Sequence, residues 1–246
     1  MLRHYKNPPV IEAIVEFRFP QNSSWDMTIP GRLYERLKDH FPKKESHILQ
    51  EIQIRPSPQS FQHQITNQER IILISEDNKQ LIQVGPYLLS INRLAPYQGW
   101  QEFKPIVQKA MESLVHVIDF KHFQRIGLRY VNKIEIPKNG MPKLNLIKNH
   151  FNFGIFIGDQ LPKDVVGFLS GCVFSFGQDL CKVELSESLQ ENSQSCIFIL
   201  DLDYFNNQKH PIPKDNVMEW IDNAHNQVEM LFEGIITDKL RESFGE

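Results

Sequence analysis

Two segments of this 246-residue chain carry charged side chains that could act together on a ligand. Residues 8–20 and residues 125–137 both alternate apolar and charged positions, and both segments end at a proline. Alternate residues of a β-strand point to the same face, so the charged residues of each segment would share one face. These residues are Glu12, Glu16, Arg18, Arg125, Arg129, Lys133 and Glu135.

The two patterned segments could line a polar groove if their strands lay side by side. Arg125 and Arg129 would then offer planar guanidinium groups to a phosphate or a carboxylate, and Gly127 between them would let a ligand approach the sheet. The alternative is a solvated face on which opposite charges pair across the strands, each pair contributing about 0.2–1 kcal/mol. The residues alone leave both interpretations open.

A pair of acidic residues follows the apolar run at 197–200. Asp201 and Asp203 would point to the same face of a strand, and two such carboxylates can hold Mg²⁺ or Mn²⁺ in phosphoryl-transfer enzymes. No third acid is set by the spacing, and the chain has no phosphate loop of the GxxxxGK[ST] type. The alternative interpretation is a pair that binds an arginine across the sheet.

Three aromatic residues, Tyr97, Trp100 and Phe103, come at the start of a predicted helix. Aromatic residues at such a position usually anchor the helix to a sheet. The less favoured alternative is a stacking surface for a base or a peptide.

The composition predicts a cytoplasmic protein without a membrane segment. No apolar run approaches the roughly 18 residues that cross a bilayer, and the N-terminal MLRHYKNPP lacks the apolar core of a signal peptide. The formal net charge of −3 argues against a dedicated nucleic-acid-binding protein, which would usually be basic. Cys172, Cys181 and Cys196 show no metal-binding spacing, and we expect them to be small buried side chains.

The predicted elements follow the order strand, helix, several strands and helix, and this order occurs twice. Strands are predicted near residues 10–19, 48–55, 61–66, 70–75, 80–92, 125–136, 165–176, 180–186 and 196–205, and helices near 30–41, 100–118, 144–151 and after 213. Because strands and helices do not strictly alternate, a parallel doubly wound sheet is disfavoured. We expect an α+β fold of two pseudo-duplicated β-α-β(n)-α halves, residues 1–122 and 123–246, with antiparallel sheets and helices packed on one face.

Three segments resemble a sporadically distributed family of bacterial and archaeal proteins of about this length. The segments are NPPVIEA at 7–13, NRLAPYQGWQEF at 92–103 and RIGLRYVN at 125–132. The resemblance covers essentially the whole chain, and the third segment is its most specific part. It implies no activity, catalytic residue, cofactor or substrate, and the patchy distribution points to a defence or mobile-element context.

Two functions compete at this stage. The first is a non-catalytic binding protein without a cofactor, which uses Glu12, Glu16, Arg18, Arg125, Arg129 and Lys133 to bind a partner protein or a small anionic ligand. Nucleic acid is a less favoured ligand because of the acidic balance. The second is a phosphoryl-transfer or nuclease-like enzyme that holds Mg²⁺ or Mn²⁺ at Asp201 and Asp203. Gly85 and Pro86 suggest a bulge or an edge strand, and an edge strand there could pair with another copy, which leaves a homo-oligomer open.

Overall fold

The computed structural model of the chain describes residues 5–57, 60–188, 194–207 and 209–245. Its strands are β1 (Val10–Arg18), β2 (Lys43–Ser57), β3 (Ser60–Ile74), β4 (Gln80–Gly85), β5 (Leu88–Leu94), β6 (His122–Phe123), β7 (Arg125–Pro137), β8 (Leu169–Phe176), β9 (Asp179–Glu187), β10 (Ser195–Asn206) and β11 (Ile212–Pro213). Its α-helices are α1 (Ile29–Leu37), α2 (Trp100–Val115), α3 (Lys143–His150), α4 (Val217–Ile235) and α5 (Asp238–Phe244). The fold is α+β, as the order of elements predicted.

Nine strands form one large sheet in the order β2-β3-β4-β5-β1-β7-β10-β9-β8. Every neighbouring pair in this sheet is antiparallel. The short strands β6 and β11 pair with each other in a second sheet. The first patterned segment, β1, therefore lies directly beside the second, β7, at the centre of the large sheet.

The central strands bury one face and leave charged residues on the other. In β1, Ala13, Val15 and Phe17 have no more than a trace of exposed surface, whereas Glu16 is half-buried and Arg18 is exposed. A strand that alternates in this way contributes its apolar residues to a core on one side only. The alternation that predicted β1 and β7 is confirmed by their burial.

The helices contact the sheet through the buried face. On β7 the hydroxyl of Tyr130 lies 3.0 Å from Nδ1 of His225 in α4, and on β10 the ring of Tyr204 packs against Trp220 of α4. Phe198 of β10 meets the ring of Phe151, which follows α3, with centroids 5.4 Å apart. These contacts enclose a single apolar core between the sheet and the helices.

Two strand predictions in the first half were wrong. The segments at 61–66 and 70–75 belong to one long strand, β3, because its backbone pairs with β2 over its whole length. The segment at 80–92 is two strands that meet in a tight turn at Pro86 and Tyr87, where Tyr87 takes a φ of 58°. Both β4 and β5 lie inside the sheet, so the edge predicted near Gly85 is instead at β2 and at β8.

Candidate binding face

The charged residues of β1 and β7 lie on the side of the sheet that faces away from the helices. The register of the two strands sets Glu16 opposite Gly127 and Arg18 opposite Arg125. Val15 and Leu128 are opposite each other and fully buried, and they point toward the helices. Since neighbouring residues of a strand point in opposite directions, the charged residues project from the other face.

The next two strands extend this charged surface. Asp203 of β10 is opposite Arg129 of β7, while Lys182 and Glu184 of β9 are opposite Asp203 and Asp201. Residues that are directly opposite in antiparallel strands share a face. We define the open face by eight of the charged side chains on this side, those nearest the end of β7 that begins with Arg125: Glu16, Arg18, Arg125, Arg129, Lys182, Glu184, Asp201 and Asp203.

One guanidinium group joins three strands at the centre of the open face. Nη1 of Arg125 donates to Oε1 of Glu16 at 2.8 Å, and Nε of Arg18 donates to the same oxygen at 2.8 Å. Nη2 of Arg125 lies 3.1 Å from Oδ2 of Asp203, and the guanidinium sits over the ring of Phe205 at 4.9 Å. Arg125, which is only 17% exposed, therefore links β1 to β10 across β7.

Gly127 makes room for this guanidinium. A Cβ atom at Gly127 would lie 2.7 Å from Nη1 of Arg125, which is closer than such atoms approach in practice. The expectation that Gly127 lets a ligand approach the sheet was therefore wrong. The space above the glycine is already filled by the side chain two residues earlier, which crosses it to reach the neighbouring strands.

A second ion pair, between Arg129 and Asp201, also joins β7 to β10. Nε and Nη2 of Arg129 donate to the two oxygens of Asp201 at 2.8 and 2.5 Å, so the pair is bidentate. These hydrogen bonds raise the pKa of Arg129 above its ordinary value. The side chain of Arg129 is 45% exposed and that of Asp201 is 16% exposed, so the arginine keeps a surface that a partner could touch.

Burial raises the pKa of Asp203 above its ordinary value, because it disfavours the ionised carboxylate. The nearby charges of Arg125 and Arg129 oppose this shift. Asp201 and Glu16 lie near enough to add to the rise by repulsion.

A depression of about 110 Å³ lies beside these groups. It is lined by Arg129, Lys182, Glu184, Asp201 and Asp203. Lys182 and Glu184 form their own ion pair at 2.6 Å, and roughly half of the lysine side chain is exposed. Both signs of charge therefore line the depression, with the two cations more exposed than the acids beside them.

The remaining predicted residues lie toward the other end of the strands. Glu12 accepts a hydrogen bond from Nδ2 of Asn92 at 2.7 Å, which ties it to β5. Lys133 is exposed and faces Ile199 of β10, while Glu135 accepts a hydrogen bond from the hydroxyl of Ser195. The structure thus groups Glu16, Arg18, Arg125 and Arg129 with the two aspartates. It places Glu12, Lys133 and Glu135 outside that group.

The pair proposed as a metal site is engaged with arginines. Asp201 and Asp203 share a face, as the spacing predicted, and each carboxylate meets a guanidinium of β7. Within the described part of the chain, no group of three His, Cys, Asp or Glu residues is arranged to hold a metal ion. The observed geometry corresponds to the alternative of an acidic pair that binds arginine across the sheet.

Two charged residues of the open face were missed by the sequence interpretation. Lys182 and Glu184 alternate with Cys181, Val183 and Leu185, which are all fully buried. The same period-two alternation that identified β1 and β7 was therefore present in β9. It could have been recognised, but nothing in the sequence set β9 two strands away from β7.

The aromatic candidates lie on the opposite, helix-covered side. Trp100 and Phe103 are buried, and the ring of Trp100 stacks on that of His225 with centroids 4.7 Å apart. The hydroxyl of Tyr97 lies 3.2 Å from that of Tyr130. These contacts agree with the interpretation of the three residues as anchors that hold α2 to the sheet and to α4.

The cysteines also behave as packing residues. Cys181 and Cys196 are buried, Cys172 is half-buried, and all three are free thiols. Burial raises the pKa of Cys181 to about 12, so its thiol stays protonated at neutral pH.

Comparison of the chain with known proteins finds no matching family model and no curated protein of similar sequence. Among the helices of the described residues, none combines the length and the apolar character that a bilayer crossing requires.

Proposed function

We propose that this chain is a non-catalytic binding protein that recognises a partner protein through the open face. The observation that carries the proposal is the row of adjoining ion pairs across four strands, in which Arg129 and Lys182 remain about half exposed. Such a row offers a partner both signs of charge at fixed positions, which is how charged groups contribute specificity at interfaces.

The charge balance favours a protein over a small anion or a nucleic acid. The acids Glu16, Glu184, Asp201 and Asp203 are matched in number by the bases Arg18, Arg125, Arg129 and Lys182. A phosphate would lie beside the carboxylates that already pair with Arg125 and Arg129, and their negative charge would repel it. A protein partner can pair with the exposed edges of both signs without breaking these contacts.

The alternative enzyme at Asp201 and Asp203 has less support from the geometry. A divalent ion would have to compete with Arg129 for both oxygens of Asp201. It would also have to share Asp203 with the Arg125 guanidinium.

We also propose that residues 1–122 and 123–246 are duplicated halves. From β1 outward the strands follow the order β1-β5-β4-β3-β2, and from β7 outward they follow β7-β10-β9-β8. Within the large sheet, the first strand of each half is central, the last strand of that half lies beside it, and the others follow outward in reverse order along the chain. This correspondence supports duplication, and the resemblance described above suggests a defence or mobile-element context.

The proposal can be tested by reversing one ion pair. In the double variant Arg129→Asp, Asp201→Arg, the internal pair is kept but its orientation across the sheet is inverted. The wild-type protein and the variant are immobilised and exposed to a lysate of the native host, and the retained polypeptides are quantified by mass spectrometry. We expect at least one polypeptide to be retained by the wild type and reduced tenfold or more on the variant.

A matched control reverses an ion pair elsewhere on the surface. Lys38 and Glu35 of the α1 region form an exposed pair at 2.6 Å, and the variant Glu35→Lys, Lys38→Glu should retain the same polypeptides as the wild type. Urea unfolding of all three proteins checks that the reversals leave the fold intact. Equal retention by all three proteins, or retention of nucleic acid alone, would contradict the proposal.

A further inference from the structure

Exposed apolar side chains are concentrated in one short stretch of the chain. More than half of the large apolar residues that are exposed in the described ranges lie between positions 156 and 174. They are Phe156, Leu161, Val166, Leu169, Val173 and Phe174. Single exposed apolar residues need no explanation, but adjoining ones mark a surface that another molecule covers, and Leu169, Val173 and Phe174 all lie in β8.

This stretch ends in β8, which is an edge of the large sheet. Of the strands that the structure describes, β9 alone lies beside it, and all eight residues of β8 pair with β9. Among the described residues, no further backbone hydrogen bond reaches β8 from its other side. Its outward N–H and C=O groups can therefore accept another strand.

The sequence of β8 lacks the features that protect edge strands. Such strands usually carry lysine, proline or other charged residues, which block pairing with another chain. The eight residues of β8, LSGCVFSF, include none of these. The opposite edge, β2, contains two lysines, an arginine, two glutamates and a proline in the sequence KKESHILQEIQIRPS.

The side chains of β8 are incompletely covered on both faces of the sheet. Leu169 and Val173 project on the side of the open face and are 67% and 57% exposed. Phe174 projects on the side of the helices and is still 37% exposed. An added strand would cover residues on both faces at once, as it does at any sheet edge.

We propose that β8 pairs with β8 of a second copy of this chain. The two strands run antiparallel about a two-fold axis perpendicular to the sheet, so that the sheets of the two copies become continuous. Each β8 residue then faces a β8 residue of the other copy, because a two-fold interface brings the same surface together with itself. This edge adjoins the open face, because Val173 is opposite Lys182, but the pairing uses the backbone groups of β8 and does not rest on the function proposed above.

The absence of charge in β8 indicates that the added strand belongs to a second copy of this chain and not to a different protein. In an antiparallel self-pairing, any charged residue near the axis would face its own copy about 5 Å away, and such like-charge pairs are destabilising. A strand that pairs with a different protein carries no such restriction and gains specificity from charge. A strand with alternating apolar and small uncharged residues, Leu169, Gly171, Val173 and Ser175 on one face, is complementary to itself.

The test uses sedimentation equilibrium of the full chain over a range of concentrations. We expect the wild type to form a dimer, and we expect Val173→Lys to raise its dissociation constant at least tenfold by placing two lysines near the axis. The matched control is Ile48→Lys, the same kind of substitution at a 71% exposed residue of the other edge strand, β2, and it should leave the dissociation constant unchanged.

Hydrogen exchange then identifies the surface that pairs. The backbone amides of β8 should exchange more slowly at high protein concentration than at low concentration, and Val173→Lys should remove this difference. A wild-type protein that stays monomeric would overturn the proposal. A dimer that resists Val173→Lys, responds equally to Ile48→Lys, or leaves β8 exchange unchanged would overturn it as well.

Discussion

The two faces of β7 carry polar groups under opposite physical conditions. On the helix-covered face Tyr130 and Asn132 are at most 5% exposed, and each has a hydrogen-bond partner within the protein. The Tyr130 hydroxyl lies 3.0 Å from Nδ1 of His225, and Nδ2 of Asn132 donates to the carbonyl of Leu200 at 3.0 Å. On the open face Arg125 and Arg129 bind carboxylates and keep 17% and 45% of their side-chain surface in contact with solvent.

This difference separates positions that hold the fold from positions that can bind a partner. A buried polar group that loses its partner costs the full free energy of its desolvation, so the partners on the helix-covered face cannot be exchanged. An exposed ion pair that is broken can be satisfied by water or by a ligand, at a cost of less than about 1 kcal/mol. The open face is therefore the side on which this protein can exchange one polar contact for another.

The largest loss of stability should come from a substitution on the buried face of β7. Leu128 is fully buried opposite Val15, and Leu128→Ala should lower the free energy of unfolding by about 2–5 kcal/mol through lost burial and a residual cavity. The measurement is urea unfolding followed by circular dichroism.

Its matched control is the next residue on the open face. Arg129→Ala should lower the free energy of unfolding by less than about 1 kcal/mol, since an ion pair with a half-exposed arginine is screened by solvent. Equal losses at Leu128 and Arg129 would remove the distinction between the two faces.

An intermediate loss of stability is expected at Gly127, which lies between Arg125 and Arg129 on the open side of β7. Gly127→Ala should lower the free energy of unfolding by about 1 kcal/mol, because the new Cβ displaces the Arg125 guanidinium from Glu16 and Asp203. In an Arg125→Ala background the same change should cost nothing, since the space is then empty. A double-mutant cycle by urea unfolding should show a coupling of at least about 0.5 kcal/mol. Additive effects would show that Gly127 serves another purpose.

The smallest effect is the pH dependence that Asp203 contributes. Its pKa is higher in the folded chain than in the unfolded chain, where it is about 3.9, so protonation favours the folded state. That contribution is complete below the unfolded value and is lost as the pH rises through the folded pKa. Relative to Asp203→Asn, whose side chain is always neutral, the wild type should therefore lose stability as the pH is raised above about 4.

Urea unfolding of both proteins at several pH values between 4 and 7 measures this dependence. The free energy of unfolding of Asp203→Asn minus that of the wild type should increase over this range. A constant difference would show that the carboxyl titrates alike in the folded and unfolded chains, and a decreasing one would show that Arg125 outweighs the burial.

Much of the fold could be predicted from local patterns. The alternation in β1 and β7 and the apolar stripe of α2 identified elements whose buried residues, such as Phe17, Leu128 and Phe103, lie where the periodicity places them. Local patterns failed in the first half, where Asn67, Gln68 and Glu69 interrupt an apolar run and suggest a loop. Hydrogen bonds from β2 keep this stretch of β3 extended, and pairing with a distant segment is not encoded in the residues themselves.

The candidate site was predictable as a set of charges but not as a set of contacts. The spacing placed Arg125 and Arg129 on one face and Asp201 and Asp203 on another strand's face. It left open whether the arginines bind a ligand or carboxylates of the sheet, and whether the aspartates bind a metal or an arginine. The register of β10 against β7 brings the two pairs together. Each arginine then donates hydrogen bonds to one of the aspartates.

The sequence by itself determined which face of each central strand is buried and which is charged, and it predicted helices on one side of the sheet. It did so because side-chain direction within a strand or helix depends on the backbone repeat alone. The order of the strands, the partner of each charge and the position of the unprotected edge at β8 were decided by the tertiary structure. These depend on the pairing of segments far apart in the chain, whose register is set by the packing of the whole core.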